Sequence, residues 1–160
     1  MNSSSQAVKV LHYTDGELAY YMEHEQSLRE NILVALTWLS EGLAEQGWRG
    51  VKEPADLVQH VLDEQQLMFV GNTLVSFSIV EPWFMQGQMV AEEFMAPIAD
   101  PPAPIELVVE ALRAVGRAAG CTDLSIGTRA NPRQKGLARL LEQTGCRLST
   151  IELIQEIPNG

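Results

Sequence analysis

Two cysteines, three histidines and eleven basic side chains are all that this 160-residue chain offers of the groups that most often build a site. Cys121 and Cys146 are too few for a disulfide scaffold, which suits a reducing compartment. Each follows a glycine at the start of a predicted strand, where a thiol acts as a small hydrophobe. His12, His24 and His60 are spread over one predicted strand and two predicted helices and lack metal-ligand spacing, so no metal is expected. Eleven basic against 21 acidic side chains leave a net charge of −10, which argues against direct nucleic-acid or anionic-membrane binding. No apolar run approaches the roughly 20 residues that cross a bilayer, so no membrane insertion is expected. The opening Met1-Asn2-Ser3-Ser4-Ser5-Gln6 has neither a basic n-region nor an apolar core, and is expected to be a disordered tail rather than a signal peptide. There is no nucleophile elbow, no ATPase-type phosphate loop and no serine paired with a nearby histidine. The expected setting is a cytoplasm, or the interior of a larger particle.

What is present is ordinary globular material. Hydrophobic residues make up 46% and charged residues 20%, and 160 residues suffice for one domain with a proper core. The charge is uneven. Residues 1–112 carry 4 basic and 17 acidic side chains (−13), whereas residues 113–160 carry 7 and 4 (+3). A basic C-terminal third either holds an anionic ligand or forms a solvated face.

Along the chain, Val8–Tyr13 alternates as a short strand. Thr14 and Glu17 then have capping-box spacing, and Leu18, Tyr21, Met22 and Leu28 predict an amphipathic helix over 15–29. Ile32, Leu33, Leu36, Leu39 and Leu43 predict a second helix over 31–46, ended by Gly47. Pro54 opens a third at its favoured first position. Leu67–Val70, Gly71-Asn72 and Thr73–Val80 read as a hairpin, and Gln88–Ile98 as a third antiparallel strand after a break at Pro82. Ile105–Ala119 predicts a helix, Thr122–Thr128 a strand, Pro132–Thr144 a helix and Arg147–Ile157 a final strand. The order β-ααα-βββ-α-β-α-β gives an α/β (α+β) fold, with a mixed, mostly antiparallel central sheet flanked by helices on both faces. A ligand is expected where the third meander strand and the Cys121–Thr128 strand splay apart.

One junction stands out. Between Gln88–Ile98 and Ile105–Ala119 lies Ala99-Asp100-Pro101-Pro102-Ala103-Pro104. A glycine-rich turn there would offer backbone N–H groups to phosphate. Three prolines remove donors and Asp100 adds a negative charge, so this turn repels phosphate.

The element order resembles the GNAT acyltransferase superfamily. So does the run Leu124-Ser125-Ile126-Gly127-Thr128-Arg129-Ala130-Asn131, followed by Ala138-Arg139-Leu140-Leu141-Glu142 and Gly145-Cys146-Arg147. The residue-level match covers roughly 122–150, and the chain looks nearest to divergent GNAT-like proteins of tailed phages, some carried inside virions. The resemblance implies acetyl-CoA or another acyl-CoA in the splay of the sheet, its pyrophosphate on a Gly-rich loop, and an amine deprotonated by a carboxylate or water. The implied setting is a host cytoplasm or a phage particle. Several departures stand against efficient acetyl transfer, among them an Asn131 that lies about three residues further from the helix motif than is usual. The pyrophosphate loop would fall at Pro97–Ile105, which has no glycine or basic residue. The usual tyrosine position falls on Leu141, which cannot donate a proton, and Cys146 replaces a phenylalanine.

Glu92 and Glu93 lie on the strand that would carry a catalytic base. Adjacent strand residues face opposite sides, so only one can enter the splay, and alternation alone does not choose. A carboxylate in an apolar cleft has a raised pKa and suits general-base work; otherwise both are solvated at an edge or an oligomer contact. Arg129 and Arg133 can bind an oxyanion without backbone amides, or belong with Lys135 and Arg139 to a solvated helix surface. Asn131, the family's strand-end asparagine, most simply caps the helix with Pro132 at its first turn. Arg129, Asn131 and Arg133 are therefore the cofactor-binding candidates. Trp83, Phe84 and Met85 form either a partner surface or part of the core. Two functions follow as expectations: an acyl-CoA-dependent N-acyltransferase acting on an amine, or a degenerate relative serving as a binding or structural component, with a protein partner or a second copy of itself.

Overall fold

The computed structural model describes residues 6–150 and 152–158; of the expected N-terminal tail only Gln6 is among them. The chain opens with a hairpin. Strands β1 (Ala7–Thr14) and β2 (Glu17–His24) pair antiparallel from Ala7 opposite His24 to Thr14 opposite Glu17. Asp15 and Gly16 have φ of 51° and 78°. Two consecutive positive φ values define a tight type I′ turn, for which Asp-Gly is a favoured pair. The helix expected over 15–29 is thus corrected. The capping-box spacing of Thr14 and Glu17 coincides with the two residues that flank this turn, and pairing with β1 satisfies the backbone instead. Tyr20, Tyr21 and Met22 are exposed on the edge strand.

Helix α1 (Glu25–Glu45) begins where the hairpin ends and buries Leu28, Ile32, Ala35 and Leu36 along one stripe. Helix α2 (Pro54–Glu64) has proline in its first turn and buries Val58 and Val61. Strands β3 (Gln66–Val70), β4 (Thr73–Val80) and β5 (Met89–Pro97) form the expected antiparallel meander. Helix α3 (Ile105–Ala119), strand β6 (Asp123–Ser125) and helix α4 (Gln134–Gln143) follow. The strand expected over 147–157 does not form among the described residues. Leu148, Leu153 and Ile157 are exposed there, and the segment's carboxylates pair with arginines elsewhere instead of its backbone pairing with the sheet.

The sheet runs β2-β1-β3-β4-β5-β6, antiparallel except where β1 meets β3 and β5 meets β6. It is mixed, mostly antiparallel and covered by helices on both faces. On one face α1 and α2 pack on Val10, Phe69, Leu74, Phe94 and Ala96. On the other, Val108, Ala111, Leu112 and Val115 of α3 pack on Leu11, Met68, Val70, Val75, Phe77 and Val90. Each fully buried Val, Leu, Met or Phe side chain among these contributes about 1.5–3 kcal/mol. Leu137 and Leu141 of α4 close a third, smaller cluster against Val109.

One irregularity positions the site. Ser76 pairs with Phe94, but Phe77 pairs with Glu92, so Glu93 is an extra residue on β5. Before this β-bulge, Val90 and Glu92 share the α3 face with Phe77. After it, Phe94 and Ala96 face α1. The bulge exchanges the two faces of the strand within one residue.

Candidate functional site

Strands β5 and β6 pair only from Met89 opposite Asp123 to Ala91 opposite Ser125, although β5 continues to Pro97. Glu92 is the first residue beyond the last pair. Its Oε1 accepts a hydrogen bond from the Gly127 backbone N–H at 2.9 Å, where a ladder bond would otherwise lie. The carboxyl group is thereby drawn to the fork between the strands. Burial pushes its pKa up to about 7, and the charge of Glu93 adds to the rise. The Gly127 N–H and the Arg129 guanidinium pull in the other direction. Burial dominates because one amide donor and one cation do not replace the water a carboxylate loses. A carboxyl group poised near neutrality can take or give a proton there. Glu93, the extra residue of the bulge, is exposed. Of the two candidate bases, only Glu92 reaches the fork.

Arg129 follows β6 and lines a hollow of about 280 Å³ together with Leu43, Trp48, Arg49, Val51, Lys52 and Leu57. Its guanidinium lies 5.4 Å from the centre of the Trp48 indole, within cation–π range. It also grips Glu152 in two-pronged fashion, Nε to Oε1 at 3.1 Å and Nη2 to Oε2 at 2.8 Å. Arg49 pairs with Glu156. Trp48, Arg49 and Lys52 were not singled out by sequence reasoning. Their signal was an aromatic and a cation in a glycine-flanked loop, Gly47-Trp48-Arg49-Gly50, with Lys52 two residues on, since loops on a rigid frame are where binding groups concentrate.

Asn131 and Arg133 are not brought together with Arg129. They line a separate hollow of about 460 Å³ with Gly42, Gln46, Lys135 and Gly136. The Asn131 side chain is turned to the backbone, its Oδ1 accepting from the Arg133 N–H at 2.8 Å; that is the turn-forming role of an Asx residue ahead of a helix. The loop is held from α1 by Gln46. Its Oε1 accepts from the Ala130 N–H at 3.0 Å, and its Nε2 donates to the Asn131 carbonyl at 3.2 Å. Gln46→Ala should therefore lower stability by about 1–2 kcal/mol, since Ala130 is buried and its amide would lose its partner. Urea denaturation reads this directly.

The Pro97–Ile105 segment is tied to the β3–β4 turn. Ile98 donates its N–H to the Asn72 carbonyl at 2.8 Å, and Ala103 donates its N–H to Thr73 Oγ1 at 2.8 Å. The Asn72 side chain donates to the carbonyls of Asp100 and Pro101. With four prolines and two committed amides, these residues do not fit a diphosphate. Leu141 is buried against α3, a core residue at the position where the resemblance implies a proton donor. Trp83 and Phe84 are exposed, 95% and 70%, and stack edge-to-face on each other. Among the described residues no cluster of three or more His, Cys, Asp or Glu side chains is placed to hold a metal, and no helix is long and apolar enough to cross a membrane.

No protein-family model matches the chain, and no characterised protein matches it in sequence. Among solved structures it is similar to a point mutant of TTHA1254, a protein from Thermus thermophilus. That similarity has 14% identity and a TM-score of 0.46, over 82% of this chain and 94% of that one.

Proposed function

We propose that this chain is a binding or structural module that uses an acyltransferase-like arrangement of sheet and helices without acyl-CoA chemistry. The observation that carries this reading is the segment between β5 and α3. Its Ile98 and Ala103 amides are bonded to the β3–β4 turn, and three of its residues are prolines without an N–H. A pyrophosphate needs several free donors or cations at one spot, and Asp100 adds a charge of the wrong sign. A phage particle or an infected-cell cytoplasm, the setting implied by the GNAT resemblance, belongs to the same proposal.

Calorimetric titration of the protein with acetyl-CoA tests it. No heat of binding is expected with ligand in the millimolar range. Micromolar affinity would sink the proposal and revive the second reading, an acyl-CoA-dependent N-acyltransferase. That second reading draws its support from Glu92, whose carboxyl group at the fork titrates near 7 and is suited to accept a proton from a substrate ammonium.

A further inference from the structure

On a chain with a net charge of −10, three cations surround one hollow. Arg49 and Lys52 come from the α1–α2 loop, Arg129 comes from the loop after β6, and the Trp48 indole lies among them. Two of the three are engaged by the chain's own C-terminal segment. Arg129 holds Glu152 through three contacts of 3.1, 3.0 and 2.8 Å, and Arg49 pairs with Glu156. Lys52 has no ion-pair partner among the described residues.

What seats this segment is charge, because its apolar side chains turn outward. Leu153 is 89% exposed and Ile157 86%. Both ion pairs are themselves open to solvent, where each is worth a factor of only about two to five in an equilibrium. A contact of that strength is readily exchanged. Four residues of chain span at most about 14 Å, so the two guanidinium groups sit within one short stretch of peptide. A guanidinium fork matches a planar carboxylate, while Leu43, Val51, Leu57 and the indole give apolar spacer residues somewhere to rest.

We propose that this cleft is a recognition site for a short acidic peptide presenting two carboxylates four residues apart. Glu152 and Glu156 occupy two of its arginines in cis as a displaceable stand-in, and the hollow itself stays open. The proposal deepens the binding-module reading by naming the partner's chemistry. The surrounding negative charge disfavours a long polyanion such as nucleic acid, and a short peptide with apolar spacers meets less of that repulsion. Lys52 remains for a third acidic or carbonyl contact that the cis segment does not make.

The test uses the full chain and a fluorescein-labelled synthetic peptide of residues 148–158, followed by anisotropy at low ionic strength. Glu152→Gln/Glu156→Gln protein should bind the peptide about tenfold more tightly than unaltered protein does, because the cis competitor has lost both charges. Adding Arg49→Ala and Arg129→Ala to that background should abolish binding, with the circular dichroism spectrum unchanged. A peptide carrying glutamine at both acidic positions should fail on every protein. Equal affinity for the first two proteins, or binding that survives loss of both arginines, would overturn the proposal. Titration of acetyl-CoA into the same samples separates the outcomes. Acetyl-CoA binding with peptide binding intact removes only the non-catalytic reading, whereas no binding of either removes the acidic-peptide site alone.

Discussion

Gly42→Ala is expected to destabilise the protein by about 3 kcal/mol, lowering its melting temperature by about 6–12 °C for a domain of this size. A Cβ at position 42 would lie 2.2 Å from the Ala130 carbonyl oxygen and 3.0 Å from its carbon. Both are backbone atoms, so no rotamer change relieves the clash. The loop cannot retreat cheaply either, because Ala130 is fully buried, has a φ of 69° and is fixed on both sides by Gln46. Gly136→Ala in α4 is the control. The nearest atom to a new Cβ there is 4.0 Å away, and alanine's better helix propensity should make that change neutral or stabilising by up to about 1 kcal/mol. Urea denaturation of the two variants decides the matter. Equal stabilities would mean that the β6–α4 loop does not rest on α1. Because that loop carries Arg129, Gly42→Ala should also weaken the Trp48–Arg129 contact, visible as a change in tryptophan emission.

The second large effect is a pH dependence traced to one carboxyl group. The ordinary value for Glu92 is 4.5 and the folded value about 7, so between those limits the folded state holds the proton more tightly than the unfolded chain. The contribution of this group to stability is therefore highest below 4.5, falls as pH rises through the window and levels off above about 7. The difference corresponds to about 3 kcal/mol. Glu92→Gln cannot ionise, and its amide oxygen can still accept from the Gly127 N–H. Subtracting the unfolding free energy of the variant from that of the unaltered protein cancels the histidines and the other carboxylates. That difference curve should fall by about 3 kcal/mol across the window, leaving Glu92→Gln the more stable protein at about pH 8. A flat curve would place the carboxyl group in water and remove the basis for a proton-transfer role.

Much of the fold was legible because its signals were local and mutually consistent. Ile105–Ala119 has an unbroken apolar stripe and a terminal glycine, and it forms the helix those features predict. Gly71-Asn72 between two apolar runs marked the β3–β4 hairpin. The N-terminal error arose where two local signals overlapped. Thr14 to Glu17 satisfies capping-box spacing and also encloses Asp15-Gly16, and only partner availability along β1 decides between helix and hairpin. Arg147–Ile157 has the alternation of a strand, but strand formation needs a neighbour, and neighbours are not written in a short window of sequence. The site divides in the same way. Glu92 and Arg129 could be nominated by residue type. The bulge that turns Glu92 toward β6 is a register event between distant segments. The approach of Arg129 to Trp48 joins the loop after β6 to the loop after α1, far apart in sequence, so local patterning held no trace of it.

The exchange of faces at Glu93 bears on how this chain tolerates changes of length. Deleting the extra residue, Glu93, would remove the bulge and leave Val90 on the α3 face and Phe94 and Ala96 on the α1 face in regular alternation, whereas deleting a residue elsewhere in β5 would turn one of these sets out of the layer it fills. The loop of residues 81–88, which carries the exposed Trp83 and Phe84, has no such parity to keep. Insertions and deletions among descendants of this gene should accumulate in that loop and, within the strand it precedes, be tolerated only at the bulge.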